Sequence, residues 1–195
     1  MTREKPPQPI IDTPHLVLRA LRDGDAEALF ALLESDPRIA AMAVHIPYPC
    51  PESRIRSWIA SLDDNWLSGK SVTFALCLRQ GGEVVGAISL SALDSHYPEV
   101  GYWLGTEYWG RGYSTEACLA ICQFAFGQLG LDRLYGCHKD GNTASGKVLL
   151  KSGFQLLGSQ HLYIAELQRQ EWVAFYLKVA SEDASLSQQD NALAG

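Results

Sequence analysis

"EVGYWLGTEYWGRGYSTEACLAI", residues 99 to 121, decides the fold. It opens as a β-rich run that Gly105 ends. Gly110 and Gly112 punctuate the stretch after Gly105, and the apolar residues Ala117, Ile121, Phe124 and Ala125 then recur at helical spacing as far as a stop at Gly130. This pattern predicts a strand, a glycine-rich turn and the main helix. Small residues at a helix entrance let a ligand approach the backbone, where the first four N–H groups lack intrahelical partners and the helix dipole favours an anion. The turn is not a P-loop, because no Lys followed by Ser or Thr comes after its last glycine. Nor is it a dinucleotide fingerprint, because G-x-G-x-x-G is missing. A tight turn with an ordinary Ser cap is the purely structural alternative.

The flanks extend the alternation of strands and helices. "TPHLVLRAL" reads as a strand, after which Asp23 or Asp25 can cap a helix carrying Ala26, Leu29, Phe30, Leu32 and Leu33. Residues 36 to 55, broken by Pro37, Pro47, Pro49 and Pro51, read as a long surface segment before a second helix through Ile55, Trp58, Ile59 and Leu62. Two β-rich runs around Gln80-Gly81-Gly82-Glu83 predict an antiparallel hairpin. Further on, "DRLYGCH" predicts a strand, "NTASGKVLLKSG" a short helix closed by Gly153, and "FQLLG" and "EWVAFYLKV" two more strands. The expected class is α/β (α+β): a central mixed, mostly antiparallel sheet with helices on both faces. One domain is expected over residues 11 to 180, between flexible tails at 1 to 10 and 181 to 195.

The net charge of −6, with 16 basic residues forming no cluster, argues against nucleic acid, because phosphate neutralisation needs a concentrated basic surface. The apolar runs are too short for a membrane span, and the N-terminus lacks a secretory pattern. Five cysteines without a C-x-x-C pair suit reduced thiols in a cytoplasmic protein and suggest no metal.

Residues 99 to 121, followed by "NTASGKVLLKSGF", resemble the GCN5-related N-acetyltransferases (GNAT), in particular their ribosomal-protein alanine N-acetyltransferase (RimJ/RimL-like) branch, over about residues 12 to 178. The family's acetyl-CoA loop reads [QR]-x-x-G-x-[GA]. Here Trp109 stands at the Gln/Arg position, Gly112 matches, and Ser114 stands at the final Gly/Ala. The resemblance implies that the amides of Gly110, Arg111, Gly112, Tyr113, Ser114 and Thr115, with the Thr115 hydroxyl, hold the CoA pyrophosphate. It also implies that the strand carrying Tyr102, Trp103 and Leu104 splays from its neighbour, pairs with the pantetheine and offers one amide as an oxyanion donor. Ser145, in the branch's N-x-x-S pattern, becomes a candidate general acid, and Asn142 a pantetheine contact or helix cap. A homodimer is reasonable by the same likeness.

Acetyl transfer to an amine requires a neutral nitrogen, a stabilised oxyanion and a proton for the thiolate. An α-amine with pKa near 8 is about 10% neutral at pH 7, a lysine only about 0.04%, so an N-terminal acceptor asks less of the base. Glu99, opening the splayed strand, is the first candidate base. Glu166 is the rival, sharing a strand face with Ile164, which occupies the branch's own base position. Glu116 in the first helical turn and His138 have structural readings, while Lys147 and Lys151 either neutralise CoA phosphates or face solvent. The expected function is acetyl transfer from acetyl-CoA to a protein or peptide N-terminal amine. The alternatives are a small-amine acceptor (antibiotic, polyamine or amino acid) or a non-catalytic acyl-CoA sensor.

Overall fold

The computed structural model describes residues 6 to 164 and 168 to 181. Eight strands, β1 (Ile11–Asp12), β2 (Leu16–Ala20), β3 (Val72–Leu78), β4 (Val84–Ser91), β5 (Glu99–Leu104), β6 (Arg133–Lys139), β7 (Gln155–Ile164) and β8 (Arg169–Val179), form one sheet in the order β1-β2-β3-β4-β5-β6-β8-β7. Every neighbouring pair is antiparallel except β5 and β6. Those two strands meet only at Glu99↔Tyr135 and Val100↔Gly136, and beyond Val100 they part into an open wedge.

Helices cover both faces. α1 (Ala26–Ser35) and α3 (Glu52–Leu67) pack through Leu29, Leu33, Ile55, Ile59 and Leu62 against Ala75 and Cys77. On the other face α4 (Tyr113–Gly127) buries Ala117, Cys118, Ile121, Cys122, Phe124 and Ala125 over Phe74, Leu76, Ile88 and Leu134, with Phe74 and Phe124 edge to face at 5.6 Å. α5 (Thr143–Lys151) packs closely beside β6, where a methyl on Gly146 would lie 2.7 Å from His138 Nε2 and 2.9 Å from Tyr176 Oη. Full burial of each large side chain in these layers contributes roughly 1.5–3 kcal/mol.

Three expectations need correction. The proline-broken segment contains a short helix, α2 (Arg38–Met42), that sequence reading passes over because five residues are too few to establish a period. Asp25 does precede α1, but its carboxylate is engaged by Arg19 through two 2.8 Å hydrogen bonds and by the Arg22 amide, so it braces a turn instead of capping the helix. Residues 6 to 10 are tied down, with Trp66 Nε1 donating to the Pro6 carbonyl and Gln8 Nε2 to that of Thr73. No helix among the described residues is long and apolar enough to cross a membrane.

Candidate active site

The helix entrance is bare for a conformational reason. Gly110 and Gly112 have φ of +74° and +86°, a region L side chains rarely adopt, while a methyl group at either would meet no protein atom within 4 Å. Gly112 is the N-cap of α4, and no side chain caps this end, which removes the Ser-cap alternative. The amides of Tyr113, Ser114 and Thr115 therefore open onto a groove of about 310 Å³, bordered also by Gly110, Trp109, Ala144, Lys147 and Lys151. Donors at a helix N-terminus beside lysines form an arrangement that accepts phosphate.

Two residues of the loop have structural engagements. Trp109 Nε1 donates to the Leu104 carbonyl at 2.9 Å, fastening the loop to the end of β5, and the Arg38 guanidinium lies 5.7 Å above its ring. The Arg111 guanidinium lies over Tyr108 at 5.8 Å, which accounts for its side chain without a phosphate. Glu116 is structural as expected. It accepts from Thr13 Oγ1 at 2.6 Å and the His15 amide at 2.7 Å, and its second oxygen meets His15 Nδ1 at 2.9 Å. Burial opposes its charge, but these hydrogen bonds outweigh burial and hold the carboxyl below its ordinary range.

In β5 the Gly105 amide donates to Val85, so by period-2 alternation Gly101, Trp103 and Gly105 turn their main-chain groups toward β4, whereas Tyr102 and Leu104 turn theirs into the wedge. Trp103, predicted with the other two as a backbone contact, is thus the exception: it pairs with Ala87 and can offer the site only its side chain. With the Leu104 carbonyl engaged by Trp109, the wedge is edged by the Tyr102 N–H and C=O and the Leu104 N–H.

Side chains alternate as well. Tyr102 points to the α4/α5 face, where its hydroxyl lies 2.9 Å from Ser145 Oγ and donates to the Ser145 carbonyl at 3.1 Å. Burial pushes this phenol well above the ordinary tyrosine value, with the Ser145 hydrogen bond a smaller opposing effect. Asn142 resolves as the cap: Oδ1 accepts from the Ser145 amide at 3.2 Å, while Nδ2 donates to the Met42 carbonyl at 3.1 Å. Next to it, Lys139 is 4% exposed and donates to the Ala41 carbonyl at 3.0 Å. Burial lowers its pKa, and Glu171, 3.9 Å away, counteracts this. His138 is buried between Tyr176 Oη and the Lys139 carbonyl, a structural histidine.

Glu99 lies on the opposite, α1/α3 face. Its Oε1 accepts from Cys137 Sγ at 3.1 Å, and burial and this carboxylate together push the thiol up. Both line a second cavity of about 550 Å³, floored by β3 to β6 and walled by α1, α3 and residues 42 to 50. The two cavities meet at Met42, Tyr102, Trp103, Asn142 and Ser145. Glu166 lies outside the described residues. Sequence reasoning missed the Tyr102 hydroxyl, although period-2 alternation puts it on the same face as Val100 and Leu104. It also missed Cys137 and Lys139, for which the sequence carried no signal.

The description Acetyltransferase (GNAT) domain matches residues 15–155 of the chain. The chain belongs to the GNAT acetyltransferases. This GNAT protein is 30% identical over 148 residues to the uncharacterized N-acetyltransferase p20 of Bacillus licheniformis, covering 75% of the chain and 82% of the relative. Its fold is that of Mycobacterium smegmatis RimJ in complex with CoA-disulfide (TM-score 0.77, 20% identity, 93% of both chains). It is also that of a ribosomal-protein-alanine acetyltransferase from Vibrio fischeri (TM-score 0.74, 21% identity, 90% of this chain and 98% of the other). The protein is an acetyl-CoA-dependent N-acetyltransferase, and acetyl-CoA is its cosubstrate.

Proposed function

We propose that the protein acetylates the α-amine of a protein or peptide N-terminus by direct attack on the thioester, with the donor in the α4/α5 groove and the acceptor in the larger cavity. The observation that carries this reading is the wedge itself: the two cavities join there, with Glu99 on one face and the Ser145–Tyr102 pair on the other. The pyrophosphate sits on the amides of residues 110 to 115 with the Thr115 hydroxyl, Lys147 and Lys151 adding charge, and the pantetheine runs along the open edge of β5.

Glu99 takes the proton of the incoming ammonium, and the neutral nitrogen bonds to the thioester carbon. The oxyanion that forms is met by the Tyr102 N–H, a donor fixed by the strand and needing no rearrangement. As the carbon–sulfur bond breaks, Ser145 gives the thiolate its proton and is resupplied through the Tyr102 hydroxyl behind it, while the nitrogen, cationic after attack, releases its second proton to solvent and solvent returns one to the hydroxyl pair. An α-amine suits this site because a single carboxylate has little deprotonation to do near neutral pH. The V. fischeri enzyme is named for a ribosomal-protein alanine, which agrees with an N-terminal acceptor. Mass spectrometry of peptides incubated with acetyl-CoA tests the reading. Acetylation of a free N-terminus, and none when the N-terminus is blocked and a lysine remains, is expected. Acetylation confined to polyamines, amino acids or antibiotics would replace it with the small-amine alternative.

A further inference from the structure

We infer that the acceptor carries a bulky apolar group on the carbon next to its amine, as a peptide beginning with Leu, Met or Phe does, and not the methyl or hydroxymethyl group of Ala or Ser. The inference rests on the reading of the larger cavity as the acceptor site and deepens it. Glu99 is the one carboxylate lining that cavity among the described residues, and it sits on the sheet floor beside the wedge, where an ammonium group is matched in charge. The walls around it are mainly apolar, with Leu33 of α1, Val44 and Ile46 of the 42 to 50 segment, Ile55 and Trp58 of α3, and Trp103 of β5, beside the polar side chains of His45, Arg54 and Ser57.

The alternation that turns the Trp103 main chain toward β4 directs its indole into this cavity, one residue from the candidate oxyanion donor Tyr102. The first substituent beyond the reacting nitrogen therefore meets aromatic and aliphatic surface. A volume of about 550 Å³ lies within the roughly 300–1,000 Å³ of sites that enclose whole small molecules, far more than a methyl group fills. Apolar walls left uncovered by a small acceptor contribute nothing to holding it, whereas the two indoles add attraction for a cationic amine passing over them.

The test compares kcat/KM for peptides identical after the first residue, which is Ala, Ser, Leu, Met or Phe, and runs an arylalkylamine series in parallel. A single methylene in a hydrophobic pocket changes discrimination by about 10- to 200-fold, so Leu, Met and Phe should exceed Ala and Ser by at least about tenfold. Val44→Trp, which fills the cavity, should raise KM for the bulky acceptors more than for Ala; Val44→Ala gives a second reading should Val44→Trp fold poorly.

Equal or faster turnover of Ala and Ser peptides, with the Val44 variants still altering acceptor KM, would overturn the size preference and leave the acceptor's location standing. A preference for bulky residues that neither Val44 variant touches would overturn the location as well, as would no turnover of any peptide or arylalkylamine. Arylalkylamines outperforming every peptide, with the same dependence on Val44, would support the apolar-amine chemistry and assign it to a small-molecule source.

Discussion

Removing the hydroxyls of Ser145 and Tyr102 one at a time and together tests the proposed route of the proton to the leaving thiolate. The pair is 2.9 Å apart, and Tyr102 also reaches the Ser145 carbonyl at 3.1 Å, so each hydroxyl orients the other. A general acid contributes about 10²–10⁴ in rate, which sets the expected loss of kcat for Ser145→Ala at about 10² or more. Tyr102→Phe leaves Ser145 in place but removes a hydrogen bond of about 1 kcal/mol, equivalent to roughly five- to tenfold in rate if all of it is expressed in the transition state. In stability the same loss amounts to about 2–4 °C in melting temperature for a chain of this size.

Because both hydroxyls serve one proton, the double variant should fall no further than Ser145→Ala alone. Thiol release at saturating acetyl-CoA and acceptor reads kcat, and thermal melts of each variant separate chemistry from folding. Burial holds the Tyr102 phenol above its usual value, so kcat should show no basic limb from this residue below about pH 10. Losses that multiply in the double variant, or full kcat in Ser145→Ala, would refute the relay. A larger loss in Tyr102→Phe than in Ser145→Ala would make the tyrosine the donor.

Three further outcomes are expected. Glu99→Gln should lower kcat by about 10²–10⁴ with an unchanged melting temperature, and full activity would remove Glu99 from the mechanism. Gly112→Ala forces an L residue to a φ of +86°, costing about 1–2 kcal/mol, and should raise KM for acetyl-CoA; a variant with wild-type KM would show that this turn does not shape the phosphate site. The Glu116 carboxyl is depressed in the folded state, so its contribution to stability is fully present above the unfolded pKa, near 4.3, and is lost as pH falls through the lower folded value. Acid melts of Glu116→Gln should be flatter than wild type across that window, and parallel curves would show that Glu116 carries no such linkage.

The strand, turn and main helix were legible because glycines and apolar spacing are local signals, and residues 99 to 130 carry both. The hairpin around Gly81 and Gly82 was legible for the same reason. What depended on long-range contacts was not. Nothing local marks Lys139 at the end of β6, yet it is buried and donates to the Ala41 carbonyl of α2, 98 residues away in sequence. Trp109 and Asn142 read by motif as cofactor contacts, and only the three-dimensional neighbourhood reveals their bonds to Leu104 and Met42. Trp103 is grouped with its neighbours because the resemblance names a run of three, whereas strand alternation assigns its main chain to β4.

The grip of Lys139 and Asn142 on consecutive carbonyls at the end of α2 has an evolutionary corollary. It plants a post at residues 41 and 42, and α3 begins a second at Glu52, so the intervening nine residues form a cassette strung between fixed anchors. In the proposed arrangement, exchanging that cassette would alter one wall of the acceptor cavity while the glycine turn, the open strand edge and the Ser145 helix keep their places. Such a separation lets one donor-handling frame be fitted to new amines by changes confined to a short exchangeable insert.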